Sequence, residues 1–141
     1  MPKIYQHSVI VPNEAIDSNG HVNNIEYICW MIDAAIAHSD AQGWSSERYK
    51  KTGASWVVRS HHIEYIKPAF VNDEIVIYTW ISSLHKIRSQ RKYKFVRTHD
   101  QSILVTAETN WVFFDLQRQR PRPVLPEISS AYEIVLESEE P

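Results

Sequence analysis

The stretch from Ile25 to Ile36, "IEYICWMIDAAI", constrains the fold more than any other part of the chain. Ile25, Ile28, Cys29, Ile32, Ala35 and Ile36 recur at i, i+3, i+4, i+7, i+10 and i+11, the spacing of one helical face. Tyr27, Trp30, Met31 and Ala34 cover much of the other side. A helix that is apolar nearly all round is buried on most of its surface. A flat sheet covers only one face, so the rest of the chain has to curve around this helix.

The material for such a sheet is present. "KIYQHSVIV" (3–11) reads as a strand closed by Pro12-Asn13. After the helix, Gly43 is a natural stop, and "SSERYKK" (45–51) predicts a short second helix capped by Ser45 or Ser46. From Ala54 the character is β: "ASWVVRSHHIEYI" up to Lys67-Pro68, then 74–84, 89–99 and 103–115. In the last, Ile103, Val105, Ala107, Trp111 and Phe113 are expected on one face, with Thr106, Glu108 and Asn110 on the other. Short connections favour antiparallel neighbours. A basic, proline-rich stretch follows, with a short helix expected near 127–137. The expectation is one α+β domain over 1–141, a long helix held in the concavity of an antiparallel sheet of about five strands.

Composition removes several function classes. With 3 Gly and neither GxGxxG nor GxxxxGK[ST], no phosphate cradle is expected. A net charge of −2 gives no pull toward nucleic acid or anionic membrane. No run approaches the length of a membrane span, and the first residues lack the apolar core of a signal peptide. The single cysteine, Cys29, suits a reducing compartment, so a cytoplasmic protein is expected. His61 and His62 are adjacent on a strand and point to opposite faces, so they are not expected to chelate a metal. Five Trp and seven Tyr in so small a chain favour a subunit interface.

The segment before the helix, Asp17-Ser18-Asn19-Gly20-His21-Val22-Asn23-Asn24, is dense in polar and turn-forming residues. Asn23 sits where an N-cap belongs, and Glu26 three residues on would complete a capping box. Free N–H groups at Asn24 to Glu26 would then face a carbonyl oxygen becoming an oxyanion. Asp17 lies six residues before the cap, with Asn19 and His21 placed to orient it or to hold a water. These are ingredients of acyl-transfer hydrolysis. The same residue types are also ordinary in a turn that starts a helix, and both readings stand at this level. A calcium loop is excluded, since Val22 and Ile28 fall where an EF-hand needs Gly and Glu.

The order Asp-x-Asn-x-His-Val-Asn-Asn-x-x-Tyr ahead of a long apolar helix resembles the hotdog-fold thioesterases. Among these are the 4-hydroxybenzoyl-CoA thioesterase-like group and, more closely, the acyl-ACP thioesterases. Asp17, Asn19, His21, Val22, Asn23, Asn24 and Tyr27 carry the motif, Trp30 also fits, and "IEYIKPAFVNDEIVIYTWI" resembles the family's downstream strands. The resemblance implies a hotdog fold, a homodimer or tetramer with sites at subunit interfaces, and acyl-thioester hydrolysis without metal or organic cofactor. It implies Asp17 as the catalytic carboxylate, with Asn19 and His21 as partners. Backbone N–H groups at the helix start, Asn24 foremost, would polarise the thioester. Val22, Asn23 and Tyr27 are expected against the substrate. One departure stands out: where acyl-ACP thioesterases carry a second acid or a cysteine after the helix, this chain offers Ser55 or Ser60.

Arg59, Lys67, Arg88, Arg91, Lys92, Lys94 and Arg97 crowd the later strands. Arg59, Arg88 and Arg91 are candidates to hold the phosphates of coenzyme A or the acidic surface of an acyl carrier protein. A solvated strand face with edge-protecting charges is the other reading. The alternative at the level of function is a hotdog module that binds acyl-CoA without hydrolysing it.

Overall fold

The computed structural model describes residues 3–141, so the first two residues of the expected domain lie outside the described residues. Strand β1 (Tyr5–Ile10) leads through a single 3-10 turn and a hairpin into helix α1 (Asn24–Ala41). Helix α2 (Ser46–Thr52) and strands β2 (Ala54–Tyr65), β3 (Glu74–His85), β4 (Arg88–Arg97) and β5 (Ser102–Asp115) follow. A two-residue β6 (Arg120–Pro121) extends β5, and one turn of helix, α3 (Pro126–Ser129), replaces the longer helix expected near 127–137. Beyond Ser129 the chain leaves the helix to set Ile134 beside Ile81 in a parallel bridge, and a 3-10 turn follows at Glu137–Glu139.

The strands run antiparallel in the order β1-β3-β4-β5-β2 and curl around α1, the hotdog arrangement expected. Three bulges help to curve the sheet, at Arg59 on β2, Ser82 on β3 and Leu104 on β5, where one residue has no opposite number. The bulge at Leu104 corrects the expected face of β5. It turns Leu104 inward to full burial and leaves Ile103 38% exposed. The caps form much as the residue types suggest. Ser45 Oγ accepts the Arg48 N–H, and Gly53 takes the left-handed conformation after α2.

The helix is not buried nearly all round as expected, and of the stripe at 25, 28, 29, 32, 35 and 36 only Ala35 is buried. Tyr27, Trp30, Met31, Ala34, Ala35 and His38 pack into the sheet. Ile25, at 66%, and Ile36, at 47%, are exposed, as is Cys29. The periodicity was real on both sides, and the aromatic side wins because it fills more of the concavity. One core cluster joins the first part of α1 to β3, β4 and β5, with Met31, Ile75, Ile77 and Phe95 fully buried. A second, with Trp44, Tyr49, Phe113 and Ile128, closes the far end.

Candidate active site at the start of the central helix

Residues 16–22 form a tight hairpin. Ile16 and Val22 pair as an antiparallel bridge, the Asp17 N–H donates to His21 O at 2.9 Å, and the Gly20 N–H donates to Asp17 O at 3.1 Å. Gly20 has φ 82°, the left-handed conformation that lets so short a loop close without a Cβ penalty. The loop is tied down from outside as well, since the Val22 N–H donates to Ala69 O and the Asn23 N–H to Ala15 O, both at 2.9 Å.

This frame fixes the carboxylate. Asp17 Oδ1 accepts the Asn19 N–H at 2.9 Å, and His21 Nδ1 stands 4.0 Å from the same oxygen. The two side chains are 24% and 38% exposed, so the held carboxylate and the imidazole beside it both reach solvent. The turn brings Asp17, Asn19 and His21 close together.

At the helix start, Asn23 Oδ1 accepts the Ile25 N–H at 3.1 Å, so the expected N-cap is present. The capping box is not formed, because the Asn23 N–H it would need goes to Ala15 O. The Glu26 N–H donates to Asn23 O at 3.0 Å. Of the three N–H groups expected to be free, only that of Asn24 has no acceptor among the described residues. Tyr65, which the sequence reading passed over, donates its hydroxyl to Asn24 O at 3.1 Å and links the end of β2 to this point. Its place in the "IEYIKP" stretch gave no hint of that contact.

Two motif residues expected against substrate lie in the core instead. Val22 and Tyr27 are each 2% exposed. The Tyr27 ring meets Trp30, Tyr65 and Phe95 edge-on, and burial pushes its hydroxyl up to about 12. They hold the hairpin and the helix in register, which explains their place in the motif through packing.

The profile of the acyl-ACP thioesterase N-terminal domain matches residues 2–132. The chain belongs to this family. Membership places it among the thioester hydrolases, and solved structures agree on the fold. The 1,4-dihydroxy-2-naphthoyl-CoA thioesterase of Synechocystis superposes with a TM-score of 0.84 at 16% identity, covering 91% of this chain and 94% of that one. A Lactobacillus plantarum chain assigned as an oleoyl thioesterase gives 0.87 at 21% identity, over 94% of this chain and 52% of that one. A Staphylococcus aureus protein in complex with CoA gives 0.85 at 16%, over 91% and 80%. Comparison with curated protein sequences finds no match.

In this family member the basic candidates separate. Arg59 and Arg88 are exposed and line one open groove of about 730 Å³ with His85 and Lys86. Arg91 does not join them. Inward and outward residues alternate along β4, and Arg91 falls on the inner side, 4% exposed. Its Nη1 donates to His38 Nδ1 at 2.9 Å and to Thr79 Oγ1 at 3.0 Å. Burial pulls this guanidinium below its ordinary value, while the nearby Tyr93, Tyr132 and Tyr49 act in the opposite direction.

Neither serine suggested by the missing acid replaces it. Ser55 lines a cavity beside the second half of α1, and Ser60 accepts an Asn110 amide N–H at 2.9 Å on the outer face. Among the described residues no cluster of His, Cys, Asp or Glu has metal-binding geometry, and no helix is long and apolar enough to cross a membrane.

Proposed function

We propose that the chain hydrolyses an acyl-CoA or acyl-ACP thioester, with Asp17 as general base. Asp17 takes a proton from water as that water attacks the thioester carbonyl. The Asn24 N–H donates to the oxygen as it becomes an oxyanion, aided by the positive end of α1. Collapse of the tetrahedral species breaks the C–S bond, and the thiol leaves with the proton that Asp17 took up. Asn19 and His21 are positioning residues: one supplies the N–H that fixes the carboxylate, the other stands beside it. The observation that carries the reading is the rigid hairpin, which presents Asp17 and His21 to solvent beside a helix start whose Asn24 N–H has no acceptor.

A homodimer or tetramer completes this reading. β2 is an edge strand of 12 residues, with Val57 at 37% and Val58 at 41% exposure, a ready template for strand pairing. Within one chain the Arg59–Arg88 groove meets β2 at mid-strand, at Arg59 and Ser60, and the helix start meets its end at Tyr65. Arg59 and Tyr65 are six residues apart, roughly 20 Å along an extended strand. Antiparallel pairing of two β2 edges in a register centred near His62 brings the basic groove of one protomer toward the Asp17 hairpin of its partner, where it meets CoA phosphates or an acidic carrier protein. A thiol-release screen over short, long and aromatic acyl-CoAs and acyl-ACPs tests the proposal. Release with at least one class supports it, and saturable binding of acyl-CoA with no release from any class overturns it.

A further inference from the structure

A cavity of about 290 Å³ lies at the other end of α1 from the hairpin, between the second half of that helix, α2 and the inner face of the sheet. From Asn24 to Ile32, the first residue of the helix to line it, the helix advances eight residues, roughly 12 Å. Buried Tyr27, Trp30 and Met31 fill the interval, so the cavity is separate from the hairpin within one chain. Five aromatic residues line it: Trp44, Tyr49, Trp56, Trp111 and Tyr132. Their polar atoms are partly tied, with Trp56 Nε1 donating to the Tyr49 hydroxyl at 3.1 Å and Ser39 Oγ 2.7 Å from the Tyr132 hydroxyl.

Arg91 lines this cavity. It is 4% exposed, and no ion pair among the described residues includes it. Both of its side-chain hydrogen bonds leave from Nη1, whereas a guanidinium carries five N–H donors in a planar fork. A buried cation without a counter-charge is costly, and a carboxylate presented to the fork in a dry site is the strongest complement it can have. Asp40, at the exposed rim, disfavours an anion there and so favours a ligand that enters carboxylate first.

We propose that this cavity binds a small carboxylate with a flat aromatic body, the carboxylate seated on Arg91 and the ring among Trp44, Trp56 and Trp111. A neutral thioester cannot satisfy the guanidinium in this way, so the site distinguishes a free acid from its ester. The proposal does not depend on the hydrolytic reading.

Calorimetric titration of the full chain with benzoate, benzamide and hexanoate tests it. Benzoate is expected to bind saturably, at least about tenfold more tightly than benzamide, the margin of a charge-assisted hydrogen bond. Hexanoate is expected to bind more weakly than benzoate. Arg91→Met should erase the preference for the acid over the amide. Ser55→Phe, which fills the cavity and leaves Arg91 in place, should abolish binding. Asp17→Asn should leave benzoate affinity unchanged. The proposal is overturned by absence of benzoate binding, by equal affinity for benzamide or hexanoate, by a preference that survives Arg91→Met, or by loss of binding in Asp17→Asn, which would put the benzoate at the hairpin instead.

Discussion

Asp17 Oδ1 accepts the Asn19 N–H at 2.9 Å, and His21 Nδ1 lies 4.0 Å from that oxygen across a loop closed by Gly20. The distance is too long for a direct hydrogen bond. The carboxylate is held by the backbone of its own hairpin, so the geometry of the candidate site depends on what anchors that hairpin.

The first anchor is the cap. Asn23→Ala removes the acceptor of the Ile25 N–H and should cost about 1 kcal/mol of stability. Urea unfolding of the purified variant measures this; an unchanged midpoint and slope would show the cap to be idle.

The second anchor is Arg97, 11% exposed in its side chain. It donates to Pro68 O and Asp73 Oδ2, both at 3.2 Å, and to Asp100 Oδ2 at 3.0 Å. Asp73 Oδ2 in turn accepts the Phe70 N–H at 2.9 Å, and Ala69 O holds Val22. Arg97→Met leaves Asp73 largely buried without its cation and should destabilise by about 1–2 kcal/mol. Amide exchange should rise at Phe70 and Val22 first, and a uniform rise across the sheet would contradict a local clamp.

Burial holds His61 below its ordinary value of 6.5, so the unfolded chain takes up this proton more readily than the folded one. The stability it contributes is complete above pH about 6.5 and is lost as pH falls through the folded value. Thermal melts at pH about 7.5 and about 5.5 should show a smaller acid loss in His61→Gln than in the parent chain. Equal losses would assign the pH dependence to other groups.

Val58→Lys places a charge on the exposed edge of β2 and should convert a dimer to a monomer while abolishing thiol release. Sedimentation velocity reads the first effect. A parent chain that sediments as a monomer, or a variant that remains dimeric, would remove β2 as the pairing edge.

Much of this was readable before any coordinates. β-branched runs bounded by turn residues located β2 to β5, and Asn23 and Gly43 bracketed α1, because local propensity and tertiary packing agree there. What periodicity could not decide was direction. Two apolar stripes competed on α1, and only the shape of the concavity chose between them. Arg91 read like its neighbours Arg88 and Lys92, since alternation along a strand sorts residues into two faces without saying which is inside. Leu104 and Ile103 exchanged places through a bulge that leaves no local mark in the sequence. The hairpin was legible in residue types, but the diversion of the Asn23 N–H to Ala15 O, which leaves the capping box unformed, is a contact that no local pattern announces.

The central claim rests on one carboxylate. Asp17→Asn keeps the size of the side chain and an oxygen for the Asn19 N–H, so the fold should persist, as an unchanged circular dichroism spectrum would verify. Turnover of the best acyl thioester, measured by thiol release under saturation, should fall by at least about two orders of magnitude. Turnover within a few-fold of the parent chain would contradict the account and move the chemistry away from Asp17.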